Sequence, residues 1–223
     1  MTAPSSPRIA WPSLRRGLVA ILRGIRPEEA EAIVAALIEE GLEAIEIPLN
    51  SPDPFVSIEA AARLAPKGVL IGAGTVLTVE EVDLLNYAGG RLMVSPNVDA
   101  AVIARAGAHG MVTMPGVLTP TEALAAVKAG ASGLKFFPAN LLGPSIIQAM
   151  SVVLPPGTVI GAVGGVGQNE FAAYARVGIR TFGLGSSLYR PGATVAEVRA
   201  KARAVIAAYD AAFPPIETRH AAQ

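Results

Sequence analysis

The chain has 223 residues, no cysteine and a formal net charge of zero at pH 7. These features exclude disulfides, thiolate catalysis and cysteine-ligated metal sites, and they offer no electrostatic basis for binding nucleic acid or an anionic membrane. With only two histidines, neither a Ser-His-Asp triad nor a histidine-rich metal site is expected.

The chain begins with a segment that does not look like part of a packed domain. Residues 1–12 are rich in Pro and Ser and lack the apolar core of a signal peptide, so we predict a flexible tail over residues 1–17 and a cytoplasmic protein. Residues 18–213 form the predicted domain, and 214–223 form a second tail. No uninterrupted apolar run reaches membrane-spanning length, since Pro156 and Gly157 break the longest candidate.

Within the domain, a short aliphatic run, a turn and an alanine-rich amphipathic stretch recur eight times. The predicted strands are Leu18–Leu22, Ala44–Leu49, Val69–Ala73, Leu92–Ser95, Gly110–Met114, Gly133–Phe137, Val159–Val163 and Thr181–Leu184. The predicted helices are Pro27–Glu40, Pro54–Leu64, Val79–Tyr87, Asp99–Ala106, Pro120–Ala129, Pro144–Leu154, Asn169–Val177 and Thr194–Ala212. Alternating strands and helices indicate a parallel sheet, and the nearly all-apolar strands indicate that both of its faces are covered.

Eight units at a spacing of about 25 residues favour a single-domain α/β fold, a closed (β/α)8 TIM barrel, over an open doubly wound sheet. The open sheet predicts a G-x-G-x-x-G turn after the first strand, and here that strand ends in Leu22-Arg-Gly-Ile25. Active sites of such barrels lie at the C-terminal ends of the strands. The residues at the predicted strand ends are Arg23, Glu46, Asn50, Thr75, Pro96, Asn97, Pro115, Gly116, Lys135, Phe137, Gly164, Gly165, Gly185 and Ser186.

Lys135 is the most informative of these residues, because it interrupts the apolar strand Gly133–Phe137. Burying an ammonium group is costly, and burial lowers the pKa of a lysine until a neutral amine can attack a carbonyl to form a Schiff base. An edge-strand lysine that extends to solvent is the alternative.

Glu46 is the second isolated charge, in the otherwise apolar strand Ala44–Leu49. A buried glutamate needs a partner. An ion pair with Lys135 that has no chemical role is one interpretation. A catalytic site is favoured, because two buried charges of opposite sign on separate barrel strands more often form a functional site than a purely structural ion pair.

Two glycine clusters follow the last two strands, at Ala162–Val166 and Gly183–Ser187. Glycine lets backbone amides approach a ligand, and many barrels bind phosphate at these two loops. The clusters therefore predict an anion site, although tight turns also use such glycines.

Several motifs together resemble one family. Glu46-Ile-Pro-Leu49, Gly72-Ala-Gly-Thr-Val76, Ser95-Pro-Asn97, Lys135-Phe-Phe-Pro138 and Gly164-Gly165 occur in the order found in the bacterial 2-keto-3-deoxy-6-phosphogluconate and -galactonate aldolases. The resemblance implies a class I lyase that cleaves a phosphosugar acid to pyruvate and D-glyceraldehyde 3-phosphate, without metal or cofactor, as a homotrimer. A more distant alternative is a phosphate-binding barrel that isomerises or only binds a sugar phosphate.

The resemblance also assigns roles by position. Lys135 would be the Schiff-base nucleophile and Glu46 the general acid/base. The substrate-binding residues that it implies are Arg23, Asn50, Thr75, Pro96, Phe137, Val163, Gly164, Gly165, Gly185 and Ser186. Thr75 and Pro96 would border the pyruvate half of the substrate, and Gly164, Gly165, Gly185 and Ser186 would contact its phosphate.

Three positions separate the two branches of this family. Where the gluconate branch usually has an arginine and a threonine, this chain has Asn50 and Val163, and it carries an arginine, Arg23, that this branch lacks. These residues resemble the galactonate branch, with gluconate as the alternative substrate series. Arg23 is then expected to bind the substrate carboxylate with bidentate geometry.

Overall fold

The computed structural model describes residues 8–214, and these form a barrel of parallel strands surrounded by helices. The strands are β1 (Leu18–Ile21), β2 (Ala44–Pro48), β3 (Leu70–Gly74), β4 (Leu92–Val94), β5 (Val112–Met114), β6 (Gly116–Val117), β7 (Gly133–Phe136), β8 (Val159–Val163) and β9 (Thr181–Leu184). The helices are α1 (Pro27–Glu39), α2 (Pro54–Leu64), α3 (Val79–Tyr87), α4 (Ala100–Ala108), α5 (Pro120–Lys128), α6 (Ala139–Ser151), α7 (Phe171–Ala175) and α8 (Val195–Ala212). The predicted (β/α)8 fold is confirmed.

The sheet runs β5-β4-β3-β2-β1-β9-β8-β7-β6, and every pair is parallel. Its two ends, β5 and β6, are one strand interrupted at Pro115, which lacks an N–H for the ladder. The Pro115 carbonyl still accepts a hydrogen bond from the Lys135 N–H at 2.9 Å. The nine segments therefore occupy eight positions around the barrel, and sequence analysis did not predict β6 as a separate strand.

The gap beside β5 is closed by two side chains instead of a backbone ladder. The Thr113 N–H donates to Ser132 Oγ, and the Ser132 N–H donates to Thr113 Oγ1, each at 3.0 Å. Both residues are buried, so the exchange satisfies polar groups that would otherwise be costly. The barrel is thus nearly closed, and these side-chain hydrogen bonds join β5 to the residue before β7.

Local signals explain several helix starts. Thr78, Thr119 and Thr194 cap α3, α5 and α8 in capping boxes with a glutamate three residues later. The prediction for α6 differs more, because the helix begins at Ala139 and not at Pro144. Gly143, with φ 69° and ψ 164°, divides α6 into two helical pieces.

The N-terminal end of the barrel is closed by residues of the predicted tail. Ile9, Trp11 and Leu14 pack against the cluster that includes Val94 and Met114 inside the barrel. From residue 8 onward this segment therefore belongs to the packed fold. Residues 1–7 and 215–223 of the two predicted tails lie outside the described residues. None of the helices within residues 8–214 has the length and apolar character needed to cross a membrane.

Candidate active site

Lys135 lies in the middle of the wall at the C-terminal end of the barrel. Its strand, β7, is hydrogen-bonded to β6 on one side and β8 on the other, and the side chain is only 5% exposed. The edge-strand alternative is therefore wrong. Desolvation lowers the pKa of Lys135, the positive charge of Arg23 lowers it further, and the attraction of Glu46 opposes both effects. The lowered pKa makes the neutral amine, the form that nucleophilic attack requires, easier to reach than in an exposed lysine.

Glu46 on β2 is fully buried and points toward the same region. Burial raises the pKa of its carboxyl to about 7, although the charges of Lys135 and Arg23 favour the ionised form. Among the residues the structure describes, Glu46 and Lys135 form no hydrogen bond or ion pair, and Glu46 Oε2 has no hydrogen-bond partner. The interpretation of a simple ion pair is therefore not supported, and Oε2 is a buried acceptor without a partner among the described residues.

Gly74 at the end of β3 makes room for this carboxyl. A Cβ atom on Gly74 would overlap with Glu46 Oε2 and with the carboxyl carbon. Leu49, next to the end of β2, donates its N–H to the Gly74 carbonyl at 2.8 Å, so the backbone here is held and has little freedom to retreat. Gly74 is therefore a positioning residue for Glu46.

Gly74→Ala is expected to lower kcat by about 100-fold, because it displaces Glu46 while leaving Lys135 in place. Steady-state kinetics combined with borohydride trapping of pyruvate separates the two effects, since trapping at Lys135 should persist. The double variant Gly74→Ala, Glu46→Asp serves as the matched test, because the shorter acid should regain part of the lost rate. Wild-type kcat in Gly74→Ala would contradict this positioning role.

Hydrogen bonds from Arg23 and Gly24 join two loops at the C-terminal end of the barrel. Arg23 Nη1 donates to Asn50 Oδ1 at 2.6 Å, and the neighbouring Gly24 N–H donates to Ser51 Oγ at 2.9 Å. Asn50 thus contacts Arg23 and orients its guanidinium, and its predicted contact with substrate stays a prediction. Because its other nitrogens make no hydrogen bond or ion pair within residues 8–214, Arg23 keeps donors for a carboxylate.

A cavity of about 830 Å³ opens at this end of the barrel. The predicted site residues on its wall are Arg23, Lys135, Phe137, Val163, Gly164, Gly165, Gly185 and Ser186. Lys135 Nζ lies 4.8 Å from the centre of the Phe137 ring, which places the aromatic face beside the amine. The wall of this cavity does not include Glu46, Asn50, Thr75 or Pro96.

Thr75 and Pro96 are at the same end of the barrel but farther from the cavity. Thr75 follows β3 with φ 59°, a left-handed conformation that is rare for a β-branched residue. Pro96 follows β4, is exposed, and packs its carbonyl against Gly116. Their predicted contacts with the pyruvate half of a substrate stay predictions.

The two glycine clusters form adjoining loops on the cavity wall. A Cβ on Gly164 would lie 3.0 Å from the Phe137 ring, and one on Gly165 would lie 2.6 Å from Asn140 Cγ. After β9, the Leu188 and Tyr189 N–H groups both donate to the Gly185 carbonyl at 2.9 Å and form a tight turn. The Ser186 N–H at the start of this turn makes no backbone hydrogen bond within residues 8–214, as expected of an anion site.

Three charged residues on the cavity wall were not predicted as site residues: Glu170, Arg190 and Lys201. Glu170 and Arg190 follow β8 and β9, so the rule that placed the other residues at strand ends could have included them. Lys201 lies on α8 and carries no comparable signal, because its position over the cavity depends on how the helix packs. Arg176 and Arg180, also near the glycine clusters in sequence, are not on this wall.

A parallel barrel with a buried lysine of lowered pKa on the wall of a cavity at its C-terminal face is the arrangement of an imine-forming enzyme. A family model described as "Aldolase: KDPG and KHG aldolase" matches residues 13–202. The chain belongs to this aldolase family.

Individual relatives agree with the family. The chain is 65% identical over 206 residues to a "Probable 2-dehydro-3-deoxy-6-phosphogalactonate aldolase" of Rhizobium meliloti (strain 1021), covering 92% of this chain and 97% of the relative. It is 47% identical over 192 residues to the 2-dehydro-3-deoxy-6-phosphogalactonate aldolase of Escherichia coli (strain K12), covering 86% and 94%. A solved structure described as "Native KDPGal structure" superposes with a TM-score of 0.88 at 45% identity, covering 91% of this chain and 98% of that one.

Proposed function

We propose that this chain is a class I aldolase that cleaves 2-dehydro-3-deoxy-6-phosphogalactonate to pyruvate and D-glyceraldehyde 3-phosphate. The single observation that carries the proposal is Lys135, a buried amine with a lowered pKa that reaches the cavity at the active-site end of the barrel. The two relatives named for this substrate support the choice of reaction.

The reaction begins at the amine. Lys135 Nζ attacks the C2 ketone, and loss of water gives an iminium that remains bonded to the lysine. The iminium withdraws the electron pair of the C3–C4 bond when that bond breaks. The Phe137 ring beside Nζ favours the positively charged iminium over its neutral precursor, because an aromatic face attracts a cation.

Glu46 moves the protons. Its carboxylate removes the proton of the C4 hydroxyl, the C3–C4 bond breaks, and the aldehyde leaves. The same carboxylic acid then returns a proton to C3 of the pyruvate enamine, and water hydrolyses the imine to release pyruvate and the free amine. A pKa of about 7 lets Glu46 act as both base and acid near neutral pH.

The substrate carries two charged groups, a carboxylate and a phosphate, and each needs its own binding residues. Arg23, oriented by Asn50, binds the carboxylate next to C2, and Thr75 and Pro96 border the pyruvate half. Backbone amides of Gly164, Gly165, Gly185 and Ser186 receive the phosphate. No group of three or more metal-binding side chains occurs within the described part of the chain, residues 8–214.

Val163 is the residue that we propose to distinguish the epimers at C4. Its two methyl groups lie against Gly183, where a Cβ atom would come within 2.8 Å of both. The side chain is thus held on the wall close to Ile21 and offers the substrate no hydrogen-bond donor. A wall without a donor does not favour the hydroxyl orientation of the gluconate epimer.

Val163→Thr is expected to raise the ratio of kcat/KM for the gluconate epimer to that for the galactonate epimer by about tenfold, because it supplies a hydroxyl donor at the same volume. Side-by-side turnover of the two epimeric phosphosugar acids by wild type and variant measures this ratio. Val163→Ala is the matched control, since it removes methyl groups without adding a donor. Wild-type preference for the gluconate epimer would select the alternative substrate, and an unchanged ratio in Val163→Thr would remove Val163 from specificity.

We further propose a homotrimer that works in the cytoplasm. The family resemblance implies the trimer, and α6 with the residues after it provides a candidate interface. Leu141, Ile146, Val152 and Val153 are at least half exposed there, and a cluster of large apolar side chains on one surface is typical of a protein interface. The molar mass in solution, measured by light scattering, tests this proposal, and a monomeric mass would contradict it.

A further inference from the structure

A second cavity lies at the N-terminal end of the barrel, opposite the active site. It has a volume of about 490 Å³, and its wall includes Trp11, Val159 and Thr181. Val159 and Thr181 are the first residues of β8 and β9, so this cavity reaches the starts of two barrel strands. The active-site cavity reaches Lys135 from the other end of the barrel. The residues between the two cavities therefore decide whether water can pass from one to the other.

Gly161 on β8 lies between the two cavities and is on the wall of neither. Its Cα partner on one side is Lys135, which lines the active-site cavity, and its partner on the other side is Thr181, which lines the N-terminal cavity. Paired residues on neighbouring parallel strands point to the same face of the sheet, and Lys135 points to the interior. Gly161 therefore leaves an interior position without a side chain, next to the lysine.

Met114 on β5 fills the position that Gly161 leaves empty. A Cβ atom on Gly161 would lie 2.5 Å from Met114 Cε and 3.5 Å from Met114 Sδ. In the barrel, β7 lies between β8 and the interrupted strand that β5 and β6 form. A side chain that extends from Met114 to Gly161 therefore crosses the inner face of β7, the face from which Lys135 projects. Met114 is only 2% exposed, so neither cavity reaches past it.

We infer that Met114 is a positioning residue for Lys135, an apolar barrier that supports the lysine side chain and separates the amine from the water of the N-terminal cavity. The inference rests on the proposed function, which makes Lys135 the nucleophile. A thioether has no hydrogen-bond donor and is a weak acceptor, so it fills the space without solvating an ammonium group.

The charge state of Lys135 depends on such a barrier. Desolvation is the largest of the causes that lower the pKa of Lys135. The charged groups that act on the amine are Glu46 on β2, which raises the pKa, and Arg23 after β1, which lowers it. The strands on either side of β7 carry no charged residue. Water in the space that Met114 vacates can bond to the ammonium group and to the Thr181 hydroxyl, so loss of the barrier raises the pKa of Lys135.

The test measures the rate of borohydride trapping of pyruvate at Lys135 as a function of pH, in the full-length enzyme. Met114→Ala is expected to lower this rate about tenfold at pH 7 and to approach the wild-type rate at high pH, because a pKa raised by about one unit leaves about a tenth of the neutral amine. Met114→Leu has a similar volume and no polar atom, so it should keep the wild-type profile. Met114→Val should shift the profile in the same direction by less, and it provides the test if Met114→Ala does not fold.

Met93→Ala is the matched control. Met93 on β4 is fully buried, but it packs in the cluster between strands and helices, whereas Met114 packs in the cluster inside the barrel. Both alanine variants should lose stability in chemical denaturation, because each leaves a cavity in a packed core. Only Met114→Ala should change the pH dependence of trapping.

The outcomes separate this inference from the proposed function. A wild-type enzyme that traps no pyruvate at Lys135 would contradict the proposed function itself. Wild-type trapping profiles in folded Met114→Ala and Met114→Val would overturn the role of Met114, since a residue that only packs would lower stability alone. An equal shift of the profile in Met93→Ala would overturn it as well.

Discussion

Replacing Lys135 with alanine is expected to abolish aldol cleavage, with a loss on the order of 10⁴-fold or more in kcat. The physical reason is that the only other lysine on the described cavity wall, Lys201, lies on helix α8 and not on a barrel strand. Borohydride treatment in the presence of pyruvate should add the mass of a reduced pyruvate adduct to Lys135 in wild type, and should add none at any site in the variant. Peptide mass spectrometry locates the adduct.

Two further variants test whether the loss of activity comes from a folding defect. Lys135→Met keeps the volume of the side chain and removes a buried amine, so it should fold at least as stably as wild type and still be inactive. Lys128→Ala, on the exposed side of α5, should retain full activity and trapping. Cleavage at the wild-type rate in folded Lys135→Met would refute the imine mechanism.

Glu46→Gln is expected to keep pyruvate trapping and to lose about 100- to 10,000-fold in turnover, because the amide keeps the shape of the side chain but transfers no proton. In wild type the acid limb of the kcat/KM profile should have a midpoint near the raised pKa of about 7. The limb should be absent from the residual activity of the variant. Stopped-flow and steady-state assays across pH measure both quantities.

The same substitution has a predictable effect on stability. Folding raises the pKa of Glu46 from 4.5 to about 7, so the folded state favours the protonated acid. The contribution of Glu46 protonation to the free energy of unfolding is fully present below pH 4.5 and is lost as pH rises through 7. The total loss is up to about 3 kcal/mol. The free energy of unfolding of Glu46→Gln relative to wild type should therefore increase from pH 4.5 to pH 8.

Chemical denaturation at several pH values measures this difference. A difference between wild type and variant that stays constant over that pH range would show that the carboxyl is not strained by burial. Turnover of Glu46→Gln at the wild-type rate would independently remove Glu46 from proton transfer.

The two reacting groups were visible in the sequence because each is a single charge in an apolar strand. Lys135 and Glu46 both proved buried, since a strand with covered faces cannot expose an interior side chain. The contacts of Asn50 were harder to predict, because a loop amide can bind either a ligand or a neighbouring side chain. Only the structure shows its hydrogen bond to Arg23. Lys201 was not predicted, because one lysine on an amphipathic helix resembles any solvated position.

The fold followed from the alternation of strands and helices, and the errors have local causes. The interruption at Pro115 creates a separate β6, and the backbone of Gly143 joins two short helices into a bent α6. A Pro- and Ser-rich beginning suggested a free tail, but Trp11 within it supplies a large apolar surface that the open end of the barrel buries.

The inward-turned Trp11 has a consequence for how this protein can diversify. The indole and its neighbours close the N-terminal end of the barrel, whereas the proposed imine chemistry and its ligand contacts lie at the C-terminal end. Substitutions in the loops at the C-terminal end of the barrel can therefore change which aldehydes and acids are accepted without weakening the packing at the N-terminal end. Conversely, an insertion or fusion near Trp11 would threaten the integrity of the molecule while leaving substrate preference untouched.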